Sequence, residues 1–135
     1  FGSFSSVRIS NEDIIQLQKN LIRSHSSGVG KMFTREQTRA IMVLRANALA
    51  RGHSGIREIV IEKILEFLNK DILPVIPQQG SVGASGDLAP LSHLALALIG
   101  EGEVWEDGRH VEVATWATAV PDGARARSPG DHACA

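Results

Sequence analysis

The chain has 135 residues and 14 Lys+Arg against 15 Asp+Glu, a formal net charge of −1. That balance leaves no field suited to nucleic acid or an anionic membrane, and neither partner is expected. The longest apolar stretch, Leu94 to Ile99, is far below the ~20 residues that cross a bilayer; no charged-then-apolar leader opens the chain, so a cytoplasmic location is expected. The lone Cys134 cannot close an internal disulfide, and the five histidines lack metal-ligand spacing, so no metal is expected. His53, His110 and His132 read as loop or surface residues.

The elements are mainly helical. Ser10 with Asp13 is a capping-box-like start, and Ile14, Leu17 and Leu21 recur at helical spacing until Gly28 offers a left-handed stop. Thr34 with Gln37 opens a second helix in the same way, with Ile41, Leu44 and Ala48 on its apolar face and Gly52 ending it. A third is predicted from about Ile56 to Asn69, with Ile56, Val60, Ile64 and Phe67 on one side. Pro74 and Pro77 then forbid helix and present a loop. A fourth helix is predicted from close to Leu88, with Pro90 tolerated in its first turn and Leu91, Leu94, Ala95 and Leu98 buried. Val111 to Trp116 alternates weakly like a strand, and Pro121 to Ala135 is rich in Ala, Arg, Gly and Pro without periodicity, so disorder is expected there.

The chemistry concentrates in Gly80-Ser81-Val82-Gly83-Ala84-Ser85-Gly86-Asp87-Leu88-Ala89-Pro90. If the Gly86 amide nitrogen attacks the Ala84 carbonyl carbon, a five-membered ring closes; loss of two waters, one from the Ser85 side chain, leaves an imidazolone bearing a methylidene. Gly86 has no Cβ to block the approach, Ser85 supplies the oxygen that is eliminated, and Ala84 adds little bulk. The product is an electron sink that no ordinary side chain offers. A helix starting after Asp87 would place its N-terminal partial positive charge beside this group. Asp87 fits two roles that are compatible, capping that helix and holding the loop for cyclisation. A phosphate-cradling loop is excluded because Asp87 and Leu88, not a lysine and a hydroxyl, follow Gly86. Gly28-Val29-Gly30 is not a dinucleotide turn, since it ends a helical pattern and Phe33 holds the third glycine position.

These residues, with the flanking Pro74-Val75-Ile76-Pro77 and Leu91-Ser92-His93-Leu94, the stretch Leu17 to Gly30, and Gly100-Glu101-Gly102-Glu103, resemble the histidine and aromatic amino acid ammonia-lyases. The resemblance implies the helical ammonia-lyase fold with its cofactor loop at a helix N-terminus. It also implies methylidene-imidazolone (MIO) formed from Ala84, Ser85 and Gly86 with Asp87 beside it, and a homotetramer. The reaction implied is non-oxidative loss of ammonia from an α-amino acid, with the electrophile taking electrons from either the amine or the ring of the substrate. An aminomutase using the same group is the runner-up, and an inactive truncated helical module the third reading. Phe1-Gly2 resemble the end of the family's Thr-Gly-Phe-Gly segment, and the chain contains no tyrosine and no Asn-Gly-Thr block. A fragment, inactive alone, is therefore expected, with residues 1–110 as part of the lyase domain and 111–135 as a divergent tail, more readily explained by a frame shift.

Ser24 and His25 occupy the family's specificity position, where phenylalanine lyases tend to carry Phe-Leu, tyrosine lyases His-Leu and histidine lyases Ser-His. The pair here implies an imidazole substrate, L-histidine, because a polar ring needs polar partners. On spacing alone His25 equally suits a helix-end residue bonded to the last carbonyls; the resemblance favours the substrate side.

Overall fold

The computed structural model describes residues 11–80 and 88–114, with side chains described from residue 13. Four helices, α1 (Asn11–His25), α2 (Arg35–Ala50), α3 (Glu58–Asn69) and α4 (Leu88–Leu98), alternate with short strands β1 (Val29–Met32), β2 (Leu73–Pro74), β3 (Pro77–Gln79), β4 (Glu103–Glu106) and β5 (Arg109–Glu112). Helices dominate, as the periodicity predicts.

Local chemistry sets the helix boundaries. Thr34 has extended backbone and its hydroxyl accepts from the Gln37 amide, while the Gln37 side chain accepts from the Thr34 amide at 2.9 Å, a complete capping box. At the other end the Gly52 amide donates to the Leu49 carbonyl at 3.1 Å, and Gly52 takes φ +75°, the left-handed conformation glycine adopts without steric cost. Helix α3 starts two residues later than predicted. Its C-terminus turns through Asp71 at φ +55°, with the Ile72 amide donating to the Phe67 carbonyl at 2.8 Å. Arg35 and Arg39 on α2 both bind the Asp71 carboxylate, and Arg39 also donates to the Leu68 carbonyl at 3.0 Å. Those cations complement the negative end of α3.

The core is built by Met42, Ala46 and Leu49 of α2, Ile64, Phe67 and Leu68 of α3, Leu94 and Ala97 of α4, and Ile72, Leu73, Ile76, Val104 and Val113 from the strands and their flanks. The predicted face of α2 is corrected: Leu44 is 68% exposed and Ala48 exposed, whereas Thr38, Met42, Ala46 and Leu49 are buried. This helix is apolar over much of its circumference, so a tertiary contact and not the pattern alone selects the side. On α4, Leu94 is buried, but Leu91, Ala95 and Leu98 are only partly so, and Ala89, Pro90, Ser92 and Ala97 fill the inner face.

The strands are the larger correction. Residues 72–77, where Pro74 and Pro77 forbid helix and no strand is predicted, are buried throughout. Here β2 pairs antiparallel with β4, which pairs with β5, while β3 pairs antiparallel with β1. Prolines 74 and 77 are compatible because both strands are short and lie at sheet edges. The strand expected to begin at Val111 ends at Glu112 and begins at Arg109. Packing crosses position 110, since Val113 is 5% exposed and its amide donates to the Gly102 carbonyl at 2.8 Å.

Candidate functional site

The two residues singled out for substrate recognition close the last turn of α1. The Leu21 carbonyl accepts from the Ser24 hydroxyl at 2.9 Å and from His25 Nδ1 at 2.8 Å, and Ser24 Oγ lies 3.1 Å from that same nitrogen. A carbonyl oxygen only accepts, so the proton of a neutral His25 sits on Nδ1. Nε2 then carries a lone pair and is an acceptor. The helix-end bonds foreseen as an alternative are therefore present, and they fix the tautomer that leaves the far nitrogen with acceptor character. Both roles are compatible.

Three residues beyond His25 the chain makes a close backbone approach. Gly28 is not the left-handed stop expected of it: α1 ends at His25, where the Ser26 amide donates to the Ile22 carbonyl at 3.0 Å, and the positive φ of +85° falls on Gly30 in β1. Gly28 is glycine for space. A Cβ there would lie 3.0 Å from Pro77 Cβ and 3.1 Å from His93 Nε2, and a Cβ on Gly80 would lie 2.9 Å from both the Gly28 Cα and the Ala89 Cβ. The Gly28 amide donates to His93 Nε2 at 3.2 Å.

The consequence is a junction at which the end of α1, the end of β3 and the first turns of α4 meet. Ala84, Ser85, Gly86 and Asp87 lie outside the described residues, which include both of their flanks, Gly80 and Leu88. Gly80 packs on Gly28 and Ala89, so the chain entering residues 81–87 and the helix leaving them meet beside the segment that follows Ser24 and His25. Sequence reasoning did not single out His93, which appeared only as motif flank. The signal was its placement four residues after Ala89, which puts both on one face of α4.

Electrostatics brace the same corner. Arg23 donates from Nε and an Nη to both oxygens of Glu101, at 2.8 and 2.6 Å, tying α1 to the turn after α4. Hydrogen bonds from Arg23 outweigh the upward push of burial and, with the charges of Arg23 and Lys19, hold the Glu101 carboxyl below its usual range. Burial lowers the His93 pKa, favouring a neutral ring. Among the described residues no group of three or more His, Cys, Asp or Glu could hold a metal, and no helix is long and apolar enough to cross a membrane. His53 is exposed in a loop. His110 is exposed on β5 and stands edge-on to Trp105, with ring centroids 4.3 Å apart; His132 lies outside the described residues.

A helical scaffold in which a strand end and a helix start meet beside the end of α1 is that of an amino acid lyase. The sequence model described as aromatic amino acid lyase matches residues 1–120, and the chain belongs to that family. It is 63% identical over 111 residues to a histidine ammonia-lyase of Geobacillus sp. (strain WCH70), covering 82% of this chain and 22% of the relative. It is 61% identical over 115 residues to the histidine ammonia-lyase of Shouchella clausii, covering 85% and 23%. Among solved structures, tyrosine aminomutase from Streptomyces globisporus superposes with TM-score 0.78 at 45% identity over 88% of this chain and 22% of that one. Histidine ammonia-lyase from Trypanosoma cruzi superposes with TM-score 0.76 at 40% identity over 86% and 23%. The chain thus spans about a fifth of the length of the curated relatives it matches.

Proposed function

We propose that this chain carries the cofactor-forming and ring-recognition segments of a histidine ammonia-lyase, which converts L-histidine to urocanate and ammonia. The observation that carries the reading is the Ser24-His25 pair, set at the end of α1 beside the junction that flanks residues 81–87, with His25 Nε2 left as an acceptor. An imidazole N–H of the substrate can donate to that nitrogen, whereas a phenyl ring offers it nothing and leaves it unpaired. Ser24 holds the arrangement by sharing the Leu21 carbonyl.

The residues present suit MIO. Ala84-Ser85-Gly86 has the required atoms, and the close packing of Gly80 on Gly28 at the flank of that segment supports the reading. The group, once formed, supplies an electrophile that makes the substrate nitrogen a better leaving group. A capping role for Asp87 is part of the same proposal, since the unpaired amides at a helix start favour negative charge. The similarity to histidine ammonia-lyases supports this substrate over those of the aminomutases, whose fold matches as well. The homotetramer and cytoplasmic location that accompany the family resemblance are part of the same proposal.

The test is a chimera in which this chain replaces the matched stretch of the Geobacillus relative, assayed with histidine, phenylalanine and tyrosine. Histidine is expected to be preferred. His25→Leu should lower kcat/KM for histidine about ten- to a hundredfold, the effect of leaving a polar group unpaired. Intact mass should fall two waters below the encoded value and Ser85→Ala should abolish the deficit. A preference for phenylalanine or tyrosine, or a β-amino acid product, would replace this reading with a sister activity.

A further inference from the structure

His93 has no part in the chemistry described so far, yet it is the side chain that fastens the junction. It stands on the second turn of α4, partly buried, and its Nε2 accepts the Gly28 N–H at 3.2 Å. An amide nitrogen only donates, so Nε2 must be unprotonated and the ring neutral with its proton on Nδ1. Burial, which lowers the pKa of this ring, favours the same state. One turn earlier on the same helix face, Ala89 meets Gly80. A single face of α4 therefore holds both the strand end that leads into residues 81–87 and the backbone that follows the Ser24-His25 pair.

The contact has little slack. A Cβ on Gly28 would stand 3.1 Å from His93 Nε2 and 3.0 Å from Pro77 Cβ, so the imidazole and the proline ring confine this backbone from two sides. On the outer side, the bidentate Arg23–Glu101 pair joins α1 to the turn after α4. Arg23 and Glu101 are both substantially exposed, whereas the His93 bond is partly shielded and lies nearer the start of α4.

We propose that His93 is a positioning residue: by binding the Gly28 amide through Nε2 it sets where the Ser24-His25 end of α1 stands relative to the N-terminus of α4. The assignment rests on the reading that Ser24 and His25 meet the substrate ring. It differs from a purely structural role because it places the effect on substrate binding and on one acceptor atom.

The experiment uses the chimera with His93→Leu and His93→Gln. The leucine cannot accept, while the glutamine amide oxygen reaches about as far as Nε2. For His93→Leu the KM for histidine should rise about three- to tenfold, the effect of one neutral hydrogen bond, with kcat changed less than about twofold. His93→Gln should recover most of the loss. Equal loss in both variants, or a fall in kcat with KM unchanged, overturns the proposal. The unsubstituted chimera reports separately on the functional reading: absence of the two-water mass deficit, or preference for another amino acid, defeats that reading and not the contact. The contact is tested directly, and independently of how the variants fold, by nitrogen-15 NMR of the unsubstituted chain. Nδ1 should be the protonated nitrogen of His93, with a coupling from the Gly28 amide to Nε2; a proton on Nε2 overturns the proposal outright.

Discussion

Replacing Gly80 with alanine probes the junction without touching any ionisable or hydrogen-bonding group. The added Cβ would lie 2.9 Å from the Gly28 Cα and 2.9 Å from the Ala89 Cβ. Relaxed carbon–carbon contact needs about 3.5 Å or more, so β3 must open from both neighbours by about half an ångström. Neither neighbour can swing aside, since one is backbone and the other is fixed to helix α4. Overpacking of this kind costs about 1–3 kcal/mol, and with a urea slope of about 2 kcal/mol per molar the midpoint should fall by about 0.5–1.5 M. Gly55→Ala is the control, because a Cβ there meets nothing within 4 Å and the residue does not have positive φ. Reducing unfolded-state freedom at such a site stabilises by about 0.4–1 kcal/mol, so the two variants should move in opposite directions. Urea unfolding followed by circular dichroism, at equal slopes, reads both. Equal midpoints for Gly80→Ala and the parent chain would refute the close approach of β3, the post-α1 segment and α4.

The other predictions concern separate regions. Thr38 is fully buried and among the described residues its hydroxyl has no hydrogen-bond partner, so Thr38→Val should leave stability unchanged or raise it by about 1 kcal/mol; a clear loss in the same urea assay would reveal a partner for that oxygen. Glu101 and Glu66 both titrate below the ordinary carboxylate value of 4.5, the first through hydrogen bonds from Arg23, the second because Lys63 and Lys70 more than reverse the upward push of burial. The folded chain thus releases protons the unfolded chain keeps, and the stability these groups contribute is complete above that value and lost as pH falls through the lowered ones. A double Glu66→Gln, Glu101→Gln variant should accordingly show a shallower loss of midpoint on acidification from about pH 5 to about pH 3 than the parent, and parallel curves would refute the assignment. Arg39→Met should destabilise by about 1 kcal/mol or less, because the Asp71 pair is largely exposed while the Leu68 carbonyl loses a charged donor; added salt should shrink the difference.

How much of this fold can be read from the chain depends on how far apart the interacting residues are. The α2 start is legible because Thr34 and Gln37 satisfy each other within one turn, and the α4 start because Pro90 suits a first turn and Leu94 falls on the inner face. The strands are not legible by the same means. Leu73–Pro74 and Pro77–Gln79 are two and three residues long, too short to establish a period, and they carry prolines that argue for a loop when read alone. What makes them strands is pairing with partners some thirty to fifty positions away, Leu73 with Trp105 and Val29 with Gln79. The buried face of α2 fails for a related reason: Leu44 and Met42 are both apolar, and only the strands and α3 decide that Met42 is covered.

The site divides along the same line. Ala84-Ser85-Gly86 is legible as chemistry because the ring it would close involves atoms of three consecutive residues, and no tertiary contact is needed to recognise them. The His25 tautomer is nearly as local, since its Nδ1 bonds a carbonyl four residues back. The apposition of Gly28, Gly80, Ala89 and His93 spans some sixty-five positions, and nothing in a sequence window relates them. A glycine in such a place looks like a helix stop until the neighbour that forbids its Cβ is known. The sequence pattern therefore points to Gly28 for the positive φ that the structure places on Gly30. Local patterns thus reveal the groups capable of reaction and recognition, while their mutual placement is decided by contacts between backbones, where glycine is required by what lies opposite it.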